Sequence, residues 1–316
     1  MRKALIVGVD HYDNFNNLSG CVRDATEVAT VLEFNGDGTR NFDVRTLVSS
    51  SDTITRSKLK ESIELLFHGE NDVALLYFSG HGTVTSTGGK IVTTDARRYD
   101  EGISMDEILT LANDSRSKDR IIILDCCFSG SFGSPAVTGG VATQLKDGVT
   151  VMTASRPDEP AIERGGQGVF TSLLVDGLQG SAADLRGYIT PGSIYAYVDS
   201  ALGAWEQRPV FKTSVSRFTH LRQIQPVIAL DILRKLTTYF PSPEHEFPLN
   251  PTFEDTIDGF DPKNVAVFKE LQKMVQVGLV KPVGEDHMYW AAVNSKSCRL
   301  SALGWQYWRM VKENRV

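Results

Sequence analysis

Two residues in this 316-residue chain could carry nucleophile and base chemistry: Cys127 and, 46 residues upstream of it, His81. A cysteine attacks as its thiolate, and a neighbouring imidazole either takes the thiol proton or polarises the scissile carbonyl. Each residue follows an uninterrupted apolar run. Ile121 to Leu124 leads into Asp125-Cys126-Cys127 and the turn Phe128-Ser129-Gly130-Ser131, and Val73 to Phe78 leads into Ser79-Gly80-His81-Gly82. Short apolar runs bounded by polar residues predict strands buried on both faces, as in parallel sheets. Ligand crevices in such sheets lie at the carboxyl ends of the strands, so two adjacent parallel strands would hold His81 and Cys127 side by side. The bland alternatives are a core cysteine and a structural histidine. Glycines on both sides of His81, and a glycine in the turn after Cys127, suit close substrate approach better than packing.

Taken together, SGHG at 79–82 and DCCFSG at 125–130 resemble the caspase-like superfamily, in the branch of metacaspases and bacterial caspase homologues. The resemblance extends over about residues 1–215, and its spacing agrees with a histidine about 50 residues before the nucleophile. It implies a cysteine endopeptidase with a Cys127–His81 dyad, Cys126 being a neighbour. It also implies an oxyanion hole formed by the backbone N–H groups of Gly82 and Cys127. Gly20-Cys21-Val22-Arg23-Asp24, together with Asp125 two residues before the nucleophile, is similar to the acidic first specificity pocket of metacaspases. Two carboxylates in one pocket favour a bidentate guanidinium, so the expected cut is after Arg, with Lys weaker. Arg23 leaves an aspartate-binding pocket open, and the plain alternative has Asp24 capping or solvating its helix and Asp125 satisfying strand-end amides. Caspases are often cut in the loop after the nucleophile. Here that loop is Ser131 to Gly148, with Lys146 as the candidate processing position. Calcium-dependent relatives carry an acid cluster after the histidine strand. This chain offers only Asp95, Asp100 and Glu101 there, too few for a hard cation, and no metal or cofactor is expected.

These residues need a scaffold, and the periodicity supplies an α/β one. Strands are predicted at Lys3–Val9, Asp43–Val48, Lys90–Thr94, Val149–Ala154 and Pro209–Ser214, beside the two already named. Helices are predicted at Leu18–Phe34, Thr53–Leu66, Phe170–Leu178 and Pro191–Leu202, and at Ser104–Ala112 with a capping box from Ser104 to Glu107. Thr83 to Lys90 reads as a glycine-rich loop. Alternating strands and helices predict a caspase-like parallel sheet, mixed at its edge, with helices on both faces. This peptidase domain is expected to span 1–222.

From 223 to 316 the character changes to helix, helix, hairpin, helix, which resembles a small α+β winged-helix module. The expected elements are helices at Pro226–Phe240, Lys263–Val277 and Ser301–Val311, with a hairpin turning near Gly284-Glu285-Asp286. Residues 225–316 carry 11 Lys+Arg and 11 Asp+Glu. A DNA-binding module normally shows a basic face, so nucleic acid is disfavoured and a regulatory or sensing role is expected. The activator would be a small molecule such as a nucleotide signal, or a protein. Tyr289, Trp290, Trp305, Tyr307 and Trp308 read either as core or as a partner surface.

The net charge of −6 argues against non-specific binding to nucleic acid or anionic membranes, and no apolar run is long enough to span a bilayer. Four cysteines, two of them adjacent, indicate a reducing compartment, the cytoplasm. The expected protein is a regulated endopeptidase acting on protein or peptide substrates in bacterial stress or antiphage defence. Two alternatives stay open: a catalytically silent caspase-fold interaction module, and a regulator that binds nucleic acid through its C-terminal domain.

Overall fold

The computed structural model describes residues 1–85, 88–126, 145–154, 163–164, 167–202 and 208–316. The chain divides into two compact units, one of Met1–Ala183 and Tyr188–Ile224, the other of Asp184–Gly187 and Gln225–Val316.

The first unit is built on a six-stranded sheet. Its elements in chain order are β1 (Arg2–Gly8), α1 (Cys21–Glu33), β2 (Asp43–Val48), α2 (Arg56–Phe67), β3 (Val73–Ser79), β4 (Gly82–Thr85), β5 (Gly88–Arg97), β6 (Asp100–Ser104), α3 (Met105–Asp114), β7 (Asp119–Asp125) and β8 (Val149–Thr153). There follow β9 (Glu163–Arg164), β10 (Gln167–Gly168), α4 (Val169–Asp176), β11 (Tyr188–Ile189), α5 (Pro191–Ala201), β12 (Val210–Ser214) and β13 (Arg222–Gln223). The sheet order is β12-β8-β7-β3-β1-β2, parallel throughout except for antiparallel β12 at one edge. That is the α/β architecture the periodicity predicts.

Alternation along the central strands sends side chains into two cores. Ala74, Leu76, Phe78, Ile122 and Leu124 face α2 and α3, which contribute Leu59, Ile63, Ile108 and Leu109. Val73, Leu75, Tyr77, Ile121 and Ile123 face the opposite way, towards α1, α4 and α5, which contribute Ala25, Val28, Phe170, Leu174 and Ile194. Every residue of β3 is buried, the expected signature of a central strand covered on both sides. Truncating a residue such as Ile122, fully buried between its neighbours, costs about 2–5 kcal/mol through lost transfer energy and the cavity left behind.

The chain reverses its direction of travel across the sheet at β1. From β1 it steps outward to β2, then returns to the other side of β1 for β3, β7 and β8. The crevice between the carboxyl ends of β1 and β3 is therefore a topological switch point, where open α/β sheets bind ligands.

Three local expectations change. The glycine-rich stretch after His81 contains β4, which pairs antiparallel with β5, and β5 pairs in turn with β6. In β6, Gly102 at φ +148° permits this close pairing: a Cβ there would stand 2.1 Å from the carbonyl oxygen of Ile91. α2 starts after Thr55, whose hydroxyl accepts from Lys58 N, so Ile54 is buried from the strand-like approach and not from the helix. The capping box of α3 does not close. Ser104 accepts from Asp106 N, while Glu107 turns outward to pair with Lys60 at 2.6 Å.

The second unit contains α6 (Leu230–Arg234), α7 (Leu236–Tyr239), β14 (Glu246–Pro248), α8 (Pro262–Gln276), β15 (Val280–Val283), α9 (Met288–Val293), β16 (Ser297–Leu300) and α10 (Ala302–Lys312). Its antiparallel sheet runs β14-β16-β15. Leu233, Leu236, Phe240, Phe268, Leu271, Met274 and Trp308 form its core. Asp261 caps α8, accepting from Lys263 N at 2.8 Å, with Pro262 at the first helical position. The predicted hairpin within 278–293 is replaced: after β15 the chain forms α9 and returns to pair only at β16. Met288, Ala291 and Ala292 are the buried residues there, a helical spacing rather than a strand alternation. The aromatic end also splits. Tyr307 and Trp308 are core, and Trp308 Nε1 donates to the Phe240 carbonyl at 2.6 Å, whereas Tyr289, Trp290 and Trp305 are exposed.

Candidate active site

The switch-point crevice is organised first by Asp10, just past the end of β1. Its carboxylate accepts from the backbone N–H of Cys21 at 2.8 Å and of Val22 at 3.2 Å, capping α1 from outside the helix. Gly8 lets α1 close on the strand, since a Cβ there would stand 2.4 Å from the Cys21 carbonyl oxygen. α1 consequently presents Cys21, Asp24, Ala25, Val28, Ala29 and Leu32 inward. An acid thus lies in an apolar stripe: Asp24 is only 2% exposed, which rules out the reading that it solvates its helix.

Asp24 and Asp125 converge. Gly168, at the end of β10, donates its backbone N–H to both Asp24 oxygens at 3.2 and 3.3 Å. A Cβ placed on Gly168 would lie 2.5 Å from Asp125 Oδ2 and 3.0 Å from Asp24 Oδ2, so both carboxylates approach one point. Ser79, the last residue of β3, donates its hydroxyl to Asp24 Oδ2 at 3.4 Å. Thr171, in the first turn of α4, donates to Asp125 Oδ2 at 2.6 Å. Arg23 does not join them. It turns outward to Glu27 at 3.0 Å with more than half its side chain exposed.

Cys21 sits against the same acids. Burial pushes its thiol far up, Asp10, Asp125 and Asp24 push the same way, and a hydrogen bond with Ser79 opposes them. Burial thus keeps it a protonated thiol.

His81 stands immediately after β3 and before β4. Its backbone N–H donates to the Tyr12 hydroxyl at 2.8 Å, and its ring packs on Tyr12 with centroids 4.8 Å apart. Burial raises the Tyr12 phenol well above its ordinary range, so it remains neutral beside the imidazole. His81 Nε2 lies 2.7 Å from the Asn16 carbonyl oxygen. A carbonyl only accepts, so in the neutral ring Nε2 carries the hydrogen and Nδ1 keeps the lone pair. The ring is thereby held in one tautomer, with Nδ1 as its acceptor atom.

Cys127 lies outside the described residues, as do 128–130 and positions 131–144 of the predicted processing loop. In the register of β3 and β7 the last pair is Ser79 with Asp125, and His81 and Cys127 each follow two residues later in sequence. Cys126 is buried at the end of β7. Gly82 opens β4 opposite Ile91. Lys146 lies at the other end of the sheet, on the turn before β8, where it pairs with Asp114 at 3.0 Å. Asp95, Asp100 and Glu101 are engaged in local contacts. Asp95 accepts from Arg56 N at 3.0 Å, Asp100 pairs with Arg56 at 3.6 Å, and Glu101 pairs with Lys90 at 2.7 Å.

Asp10, Tyr12, Asn16, Ser79, Gly168 and Thr171 are the contributors that sequence reading did not assign. Ser79 lay within the quoted motif. Asp10 carried a weak signal as an acid directly after a buried strand, whereas Gly168 and Thr171 become neighbours of Asp125 only through the fold.

The unit that carries this crevice has a counterpart among known families. The Caspase domain family matches residues 1–219. The chain belongs to the caspase family. Metacaspase-1 of Saccharomyces cerevisiae is 32% identical over 90 residues, 27% of this chain and 21% of that protein. The match thus spans about a fifth of that relative's length. The fold is shared with Caspase-1 from Spodoptera frugiperda (TM-score 0.53, 13% identity, covering 71% of this chain and 91% of that one). It is shared equally with a structural-genomics protein of Geobacter sulfurreducens (TM-score 0.53, 17% identity, covering 72% and 98%). Family membership makes this a caspase-like cysteine peptidase domain. No helix among the described residues is long and apolar enough to cross a membrane.

Proposed function

We propose that the chain is a cysteine endopeptidase that cleaves after basic residues, Arg before Lys. Cys127 is the nucleophile. His81 Nδ1 takes its proton and later returns it to the leaving amine, as a paired imidazole does in acyl transfer. The backbone N–H groups of Gly82 and Cys127 stabilise the tetrahedral oxyanion. Asp24 and Asp125 hold the guanidinium of the residue before the cut. The observation that carries this reading is the convergence of those two buried carboxylates on one point at Gly168, with Arg23 turned away. Such a site repels an acidic side chain and suits a planar cation with several N–H donors, which guanidinium supplies.

Control is proposed to come through the second unit, by a nucleotide-like small molecule or a protein. The exposed Tyr289, Trp290 and Trp305 support a partner-facing surface, because large aromatics anchor interfaces. Lys146 is the proposed processing position. The resemblance to bacterial caspase homologues with sensor domains supports a role in stress or antiphage defence.

The test is hydrolysis of paired fluorogenic peptides ending in Arg and in Asp by wild type and Cys127→Ala. Cleavage after Arg that vanishes in the variant is expected. Cleavage after Asp would overturn the pocket assignment.

A further inference from the structure

A hydrogen-bonded chain runs behind the acid pair. Tyr77 Oη lies 2.6 Å from Thr171 Oγ1, and Thr171 Oγ1 lies 2.6 Å from Asp125 Oδ2. Tyr77 and Thr171 are fully buried and Asp125 is nearly so. Proton counting sets the direction of the chain. Thr171 has one hydroxyl hydrogen, which it gives to the Asp125 carboxylate, so Tyr77 donates to Thr171. Tyr77 is always able to do so: burial, reinforced by Asp125 and Asp24, holds its phenol well above the ordinary range and keeps it protonated. The three residues come from three elements, β3, α4 and β7, each packed in the same core.

We propose that Thr171, backed by Tyr77, is a positioning residue that sets the plane of the Asp125 carboxylate for a guanidinium. The inference rests on the arginine-pocket reading and deepens it. One anchored oxygen, together with the Cβ–Cγ bond, fixes the plane of a carboxylate. A bidentate guanidinium needs that plane, because its donors form a rigid fork. An ammonium is a point charge with rotatable donors and needs it less. The chain therefore acts on the choice between Arg and Lys, not on bond cleavage itself. Its short, buried geometry limits the carboxylate to one orientation before substrate arrives, which lowers the ordering cost of binding.

The test compares Thr171→Val, Thr171→Ser and Tyr77→Phe in the full chain, on fluorogenic peptides ending in Arg and in Lys. Alkylation of Cys127 by iodoacetamide serves as a control for the nucleophile. Valine keeps the shape and removes the hydroxyl, serine returns the hydroxyl, and phenylalanine removes only the backing donor. Thr171→Val should raise KM for the Arg peptide by roughly tenfold with kcat retained, as expected for loss of one hydrogen bond to a charged group in uniform binding. KM for the Lys peptide should change less, so the Arg preference narrows. Thr171→Ser should restore both, and Tyr77→Phe should shift the same ratio by a smaller factor. An unchanged Arg-to-Lys ratio in Thr171→Val and Tyr77→Phe would overturn the proposal, as would serine and valine variants impaired alike. A wild type that cleaves neither basic peptide would instead bring down the pocket reading, a result distinct from an active wild type that its variants match.

Discussion

Replacing Asp24 by Asn removes one charge of the proposed pocket while changing little else. The Asn oxygen can still accept from Gly168 N–H and the Ser79 hydroxyl, the contacts Asp24 makes at 3.2–3.4 Å. Asp24 is buried and faces a second carboxylate, so the empty pocket loses a like-charge neighbour and the variant should melt close to wild type. With substrate bound the balance inverts. Breaking a buried ion pair by removing one partner costs about 3–5 kcal/mol. At about 1.4 kcal/mol per tenfold, that is roughly two to three and a half orders of magnitude in kcat/KM on Arg peptides. The assay is steady-state hydrolysis beside thermal melting, with the rate of Cys127 alkylation as the measure of an intact nucleophile. A folded Asp24→Asn protein that cleaves Arg peptides as well as wild type would refute the pocket.

Further outcomes follow from other contacts. Gly168→Ala drives a methyl to 2.5 Å from Asp125 Oδ2 and 3.0 Å from Asp24 Oδ2, an overpacking of about 1–3 kcal/mol. Its melting temperature should fall and Arg cleavage should drop more than Cys127 alkylation does; kinetics unchanged from wild type would contradict this. His220 is lowered by burial and then by Arg2, so the unfolded chain binds the extra proton. Stability from this group is present above its unfolded value near 6.5 and is lost as pH falls through that value towards the lower folded one. Melting at falling pH should show that loss in wild type, and a smaller one in His220→Gln. Cleavage after Lys146 should occur between molecules. Lys146 stands at the amino edge of the sheet, and the seven residues of β7 put about 20 Å between that edge and Asp125. The half-time of processing should lengthen on dilution, and a half-time independent of concentration would contradict this.

The sheet was legible because its central strands carry continuous apolar runs, which no solvent-facing element tolerates. Asp24 was legible as a pocket residue only through the family resemblance, since an acid on a helix reads locally as a solvated face. Its burial needed the tight approach of α1 to β1 at Gly8 and the external cap from Asp10. Thr171 and Gly168 gave no local signal at all, because their meeting with Asp125 joins residues more than 40 positions apart. In the second unit the sequence 284–293 pairs a turn signal with apolar residues, and strand and helix compete there. Burial of Met288, Ala291 and Ala292 decided for helix. The capping box at Ser104 and Glu107 failed because Lys60 and Arg56 offer Glu107 full charges, which outcompete a single backbone N–H.

The most direct test of the central claim is active-site labelling with an arginyl chloromethyl ketone, followed by peptide mapping of the adduct. The predicted result is a single adduct on Cys127, lost in His81→Ala and strongly slowed in Asp24→Asn. An adduct on Cys126 or Cys21, or labelling indifferent to His81 and Asp24, would contradict the account.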